Sequence, residues 1–168
     1  LYECGKVCLS ILGTWSGPKW SSVQTLHSVL LSIQSLMNDQ PITNEPQYEN
    51  IGKNDKRSID YNRYIEFYKY SFAIHDMLND ETFFPHFNEV IQSYFVKNYE
   101  KLVKKLNVLK SLDGQIIKTF LWNRNVELDY ENLIKKYEIL YEKLKDKNFS
   151  DLKSTSCHQK KKNLNIDI

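Results

Sequence analysis

The sequence predicts a mainly α-helical protein, and two observations carry that expectation. Apolar and aromatic side chains recur at three- and four-residue intervals over most of the chain, the spacing that lines one face of an α-helix. The turn-forming residues collect between those stretches: Pro41, Pro46 and Gly52, then Pro85, then Asp113-Gly114. With 168 residues, 41% of them hydrophobic, the chain has enough apolar material for a core.

The first element is the run Gly5-Lys6-Val7-Cys8-Leu9-Ser10-Ile11-Leu12-Gly13-Thr14-Trp15, which reads as extended chain. Side chains alternate there with period two, so Val7, Leu9 and Ile11 share one face and Cys8 with Ser10 the other. Composition alone makes Cys8 a small buried hydrophobe, the usual place of a free cysteine. Presented outward, it becomes a candidate reaction centre.

The spacing next predicts a helix over 23–38, capped by Ser21 or Ser22, with Val23, Leu26, Val29, Leu30, Ile33, Leu36 and Met37 on its buried stripe. Leu31 falls about 140° from Leu26 and Ser35 lies opposite it, so both are expected on the outer surface. Gln40 to Ser58 reads as an irregular connection with a flexible second half. A second helix is expected from about Asp60 to Asn79 on Tyr61, Tyr64, Ile65, Tyr68, Phe72 and Leu78. Pro85 opens a third, whose stripe includes Phe87, Val90, Ile91, Tyr94, Phe95, Leu102, Leu106 and Leu109 and which stops at Asp113-Gly114. An apolar run from Gln115 to Trp122 reads as a fourth helical piece. The fifth helix, about Tyr130 to Lys147, is capped by Asp129 and carries Tyr130, Leu133, Ile134, Tyr137, Leu140, Tyr141 and Leu144. These aromatic stripes read as core. From Ser150 onward the chain is polar, with a Lys160-Lys161-Lys162 run that reads as solvated charge.

Composition excludes several classes of function. A net charge of +2, from 23 basic and 21 acidic residues, makes no broad electrostatic case for nucleic acid or a membrane surface. No apolar run reaches the roughly 18 to 20 residues that span a bilayer. Three cysteines do not make an extracellular disulfide framework, which fits a reducing compartment, cytoplasmic or nuclear. Cys4 and Cys8 with Cys157-His158 supply metal-ligating residue types, but the spacing is not that of a structural zinc site, so no metal is expected. Five glycines without a phosphate-cradling motif argue against nucleotide chemistry. His27, His75 and His86 read as core-edge or surface residues.

Four landmarks in order resemble the active-site half of the ubiquitin-conjugating enzyme family. Gly5-Lys6-Val7-Cys8-Leu9-Ser10-Ile11-Leu12 is similar to the signature around the family's cysteine, Trp20-Ser21 to its partner loop, Val29-Leu30-Leu31-Ser32-Ile33-Gln34-Ser35-Leu36 to the following helix, and Asn44-Glu45-Pro46 with Tyr48-Glu49 to its large, helically extended members. The resemblance implies the C-terminal half of an α+β fold that begins, in the family, with a helix and a four-stranded antiparallel sheet. Leu1 falls just after the family's His/Asn-Pro-Asn turn, so the chain is expected to be a C-terminal portion of such a protein. The implied organisation is a part-core over 1–113 with Cys8 and three helices, a helical extension over 114–148, and a polar, disordered tail over 149–168.

The resemblance also implies a chemistry. Cys8 would accept ubiquitin or a ubiquitin-like modifier from an activating enzyme as a thioester and pass it to a substrate lysine. Thiolates are strong nucleophiles, so that exchange needs no dedicated triad. The lysine must lose a proton, which an acidic group close to the thioester can assist, and Glu45 aligns with the family's gate residue, usually Asp or Ser. Leu31 and Ser35 correspond to the face on which the donor modifier docks, and Trp20 with Ser21 to the ligase-facing loop. No cofactor is implied, since ATP is used by the activating enzyme. The partners implied are the modifier, the activating enzyme, a ubiquitin ligase and protein substrates. The rival expectation is a catalytically inactive helical interaction module, with apolar faces left uncovered.

Overall fold

The computed structural model describes residues 6–80, 85–119 and 124–147. Helices make up most of the regular structure, and the sheet found among the described residues is one antiparallel pair. The chain divides into two compact units, Leu1–Phe67 with Gln115–Glu127, and Tyr68–Gly114 with Leu128–Ile168.

In the first unit a single 3-10 turn, Ser10–Leu12, follows the residues around Cys8 and ends on Gly13, whose φ of 68° is the left-handed conformation that glycine adopts without penalty. The run is therefore extended only as far as Leu9. Its expected two-face alternation ends there, because the turn rotates Ser10 and Ile11 out of register. Leu9 is buried, and Val7, Cys8, Ser10 and Ile11 are half-buried.

Helix α1 covers Leu26–Ser35, shorter than expected. Its cap is Thr25 and not Ser21 or Ser22. The Thr25 side chain accepts from the Ser28 backbone N–H while the Ser28 hydroxyl accepts from the Thr25 N–H, a reciprocal capping box. The expected buried stripe is also corrected. No residue of α1 is buried, and Leu26 and Leu30 are 73% and 56% exposed, beside 50% for Leu31. Ser28, Val29, Ser32 and Ile33, with Leu36 just after the helix, are the partly shielded positions. Periodicity fixes which residues share a face; it does not fix what covers that face.

A second 3-10 turn, Pro41–Asn44, follows with Pro41 at its first position, where a missing N–H costs nothing. Ile42 within it is fully buried. Helix α2 runs Lys56–Tyr70, starting inside the stretch expected to be irregular. Asp55 ahead of it accepts from the Arg57 N–H, and its two carboxylate oxygens take a paired contact from the Arg57 guanidinium. That contact holds the Asp55 carboxyl down at about 2. Tyr61 and Tyr64 are buried on α2 as expected, whereas Ile65 is exposed.

The fourth helical piece is not found among the described residues. Residues Ile116–Thr119 form β1, paired antiparallel with β2, Arg124–Glu127, in a register that sets Ile117 opposite Val126. Ile116, Ile117, Thr119 and Val126 are β-branched and stiff at χ1, which favours a pleated strand. Exposure alternates along β1, with Ile117 and Thr119 buried and Ile116 and Lys118 exposed. Trp122 lies outside the described residues, as do Cys4, Cys157, His158 and the tail.

In the second unit, a π-helical turn at Ser71–Asp76 leads into α3, Met77–Asn79. The wider π turn breaks the 3.6-residue period, so Phe72, placed on the stripe by sequence, is exposed while Tyr70 and Leu78 are buried. Helix α4, Asn88–Leu109, packs on α5, Tyr130–Leu144. The buried side of α4 carries Gln92, Phe95 and Leu106; Phe87, Val90 and Tyr94, at its beginning, are exposed. On α5 the expected stripe is buried at Tyr130, Leu133, Tyr137, Leu140 and Leu144. Two aspartates satisfy its first N–H groups: Asp113 accepts from Tyr130 and Glu131, and Asp129 from Asn132. Asp113-Gly114 thus ends one helical segment and starts the next.

Candidate active site

Thr14 holds the residues on either side of Cys8. The Leu9 N–H donates to the Thr14 hydroxyl at 2.9 Å, and that hydroxyl lies 3.1 Å from the Val7 carbonyl and 3.2 Å from the Leu9 carbonyl. The Thr14 N–H also donates to the Leu9 carbonyl at 3.2 Å. Close packing tightens the loop further on, because a Cβ at Gly17 would stand 3.0 Å from the Ser10 Cβ at a φ of 127°. Cys8 is a free, half-buried thiol.

The thiol opens on a cleft of about 410 Å³ lined by Cys8, Leu9, Trp15, Leu36, Glu45 and Glu49, among others. Glu45 reaches this wall because the Pro41–Asn44 turn anchors the strand of chain before it. Ile42 is buried beneath, the Glu45 N–H donates to the Ile42 carbonyl at 3.0 Å, and the Asn44 amide donates to the Leu36 carbonyl at the end of α1 at 2.7 Å. Beyond Glu45 the chain turns at Gln47, whose φ of 76° is left-handed. From α2, the Tyr61 phenol donates to Glu45 Oε1 at 3.2 Å. Burial, and then the Glu45 charge, push the Tyr61 phenol well above its ordinary range, so it is a donor at any working pH.

The two residues that the sequence nominates for chemistry therefore line one cleft. The other nominated residues do not. Trp20 and Ser21 lie exposed in the loop before α1, and Leu31 and Ser35 lie exposed on α1 itself, where the Ser35 hydroxyl donates to the Ser32 carbonyl at 2.7 Å. Since Leu30 is as exposed as Leu31, burial does not separate them. Sequence reasoning missed Thr14 and assigned Tyr61 only to the core. A hydroxyl residue directly after a left-handed glycine is a local signal for a side chain bonded back to the preceding backbone. No comparable signal marks Tyr61, whose partner is 16 residues away. Among the described residues no group of three His, Cys, Asp or Glu is placed to hold a metal ion, and no helix is long and apolar enough to cross a membrane.

Residues 1–69 match the family described as ubiquitin-conjugating enzyme. The chain is 34% identical over 147 residues to Ubiquitin-conjugating enzyme E2 Z of Xenopus tropicalis, an alignment covering 87% of this chain and 47% of that protein. Against the Homo sapiens protein of the same name the identity is 34% over 144 residues, 85% of this chain and 40% of that one. Probable ubiquitin-conjugating enzyme protein 17 of Caenorhabditis elegans is 38% identical over 112 residues, 62% of this chain and 15% of that protein. The chain spans about half the length of the curated E2 Z relatives it matches.

Proposed function

We propose that this homologue of the ubiquitin-conjugating enzymes carries ubiquitin, or a ubiquitin-like modifier, as a thioester on Cys8 and delivers it to a lysine. The observation that carries the reading is the shared cleft: a free thiol and a carboxylate, Cys8 and Glu45, line it together with Trp15. In the first step the Cys8 thiolate attacks the carbonyl of the modifier's thioester on the activating enzyme, and that enzyme's thiolate leaves. In the second, a lysine amine attacks the Cys8 thioester; the C–N bond forms, the C–S bond breaks, and the amine proton passes to Glu45 or through it to solvent.

Glu45 is the gate in this account. Its carboxylate is oriented by the Tyr61 phenol, which supports the assignment of a fixed role. Leu31 and Ser35, exposed on α1, are proposed as the surface for the donor modifier, and Trp20 with Ser21 as the ligase-facing loop. The activating enzyme, a ligase and substrate proteins are the corresponding partners.

The test separates the two steps. With activating enzyme, ATP and ubiquitin, the intact protein is expected to form a reductant-sensitive adduct at the same rate in the native form and in Glu45→Gln. Discharge of that adduct onto free lysine should slow by roughly 10²-fold in the variant, the usual worth of a positioned general base. Discharge at the native rate would remove Glu45 from the mechanism.

A further inference from the structure

We infer that Thr14 is a positioning residue for the Cys8 nucleophile, fixing the thiol's direction through the backbone on both sides of it. The inference rests on the proposed role of Cys8 as the thioester carrier. Its basis is geometric. The Val7 carbonyl belongs to the peptide unit before Cys8, and the Leu9 N–H belongs to the peptide unit after it. Both bond to the same oxygen, Thr14 Oγ1, at 3.1 and 2.9 Å. A peptide unit is planar, so holding the plane on each side of a residue holds that residue's φ and ψ. Cys8 contributes only χ1 as remaining freedom.

The clamp is itself anchored. The Thr14 N–H donates to the Leu9 carbonyl, the Leu12 N–H donates to the same oxygen at 3.1 Å, and the Gly13 N–H closes on the Ser10 carbonyl at 2.8 Å. Gly13 takes the left-handed conformation that brings Thr14 back over the strand. The chain thus spends a tight turn on returning one hydroxyl to the nucleophile's own backbone. Thr14 is exposed, so its burial does not account for the arrangement. The side chain needed is one whose oxygen accepts from Leu9 and donates to Val7, a pairing that serine also supplies and valine does not.

A reacting atom held within a narrow cone reacts faster than one that samples several directions. Thr14→Val, which keeps the shape and removes the oxygen, is expected to lower kcat for thioester formation on the intact protein by roughly five- to tenfold, the rate equivalent of one hydrogen bond on a positioned nucleophile. KM for the loaded activating enzyme should not change. Thr14→Ser should restore kcat to within about twofold. Alkylation of Cys8 by iodoacetamide, read at that residue by peptide mass spectrometry, should become faster in Thr14→Val and return to the native rate in Thr14→Ser, because a small reagent gains from a loosened segment while directed transfer loses. Native kcat in Thr14→Val, or equal losses in the valine and serine variants, would overturn the inference. If the native protein forms no thioester on Cys8, the proposed function fails instead, and the alkylation rates still decide the clamp: equal rates in the native and valine proteins overturn it.

Discussion

Cys8→Ser is expected to abolish the reductant-sensitive adduct and leave in its place an ester that survives thiol treatment and yields to base. A hydroxyl in the thiol's position can still take the modifier, slowly, from the activating enzyme. The oxyester then persists, because an alkoxide is a far poorer leaving group than a thiolate. Transfer to lysine should fall by a factor on the order of 10³ or more, as when a nucleophile is removed from a catalytic unit. Folding should be unaffected, since the side chain is half-buried and the change is one atom. Non-reducing gels of the native and variant proteins, with and without thiol, check this. A reductant-sensitive band in Cys8→Ser at the native level would place the chemistry elsewhere.

Tyr137→Ala is expected to cost about 3–5 kcal/mol of stability in the second unit, the range for emptying a buried aromatic site. The Tyr137 ring meets Phe95 edge-on at 5.5 Å between centroids and stacks near His75 at 6.3 Å. Its phenol donates to the Tyr70 carbonyl at 2.8 Å, where α2 gives way to the π turn. Tyr137 is fully buried, and that burial raises its phenol pKa, with Tyr70 and Asp76 adding to the shift, so the proton needed for the bond is always present. Tyr137→Phe keeps the ring contacts and removes only the hydrogen bond to the Tyr70 carbonyl, which costs about 0.5–1.5 kcal/mol. Urea denaturation of both variants separates the two contributions. A loss under about 1 kcal/mol for the alanine variant would mean that the α4 and α5 rings do not form this unit's core.

The amphipathic pattern was most readable where both sides of a contact were themselves helical. On α5 the period is uninterrupted, Asp129 supplies an ordinary cap, and the buried residues are those the spacing selects. On α2 the same pattern selects Tyr61 and Tyr64, which are buried, but also Ile65, which is exposed, and it fails at Phe72 because a π turn has no mark in composition. For β1, Ile116-Ile117-Lys118-Thr119 lies in an apolar run too short for periodicity to decide between strand and helix; the β-branched residues were the better guide. Residues of α1 carry a clear stripe, yet Leu26 and Leu30 on it are exposed and none of its residues is fully buried, since burial depends on a second surface that a local pattern does not contain.

At the cleft, Cys8 and Glu45 were legible only through their resemblance to a family signature. They are 37 positions apart in sequence, and no spacing rule joins them. What the sequence withheld is how they are held: one hydroxyl behind Cys8 and one buried phenol behind Glu45. Both supports are hydrogen bonds to residues named for other reasons, and the one from Tyr61 joins residues 16 positions apart, which no local signal marks.

The central claim is that Cys8 carries the modifier. Incubation of the intact native protein with activating enzyme, ATP and ubiquitin, quenched without reductant and mapped by mass spectrometry, locates the ubiquitin C-terminal remnant among the three cysteines. The account predicts the remnant on Cys8 and its disappearance on thiol treatment. A thiol-labile remnant on Cys4 or Cys157, or none on any cysteine while ubiquitin is loaded on the activating enzyme, would contradict it.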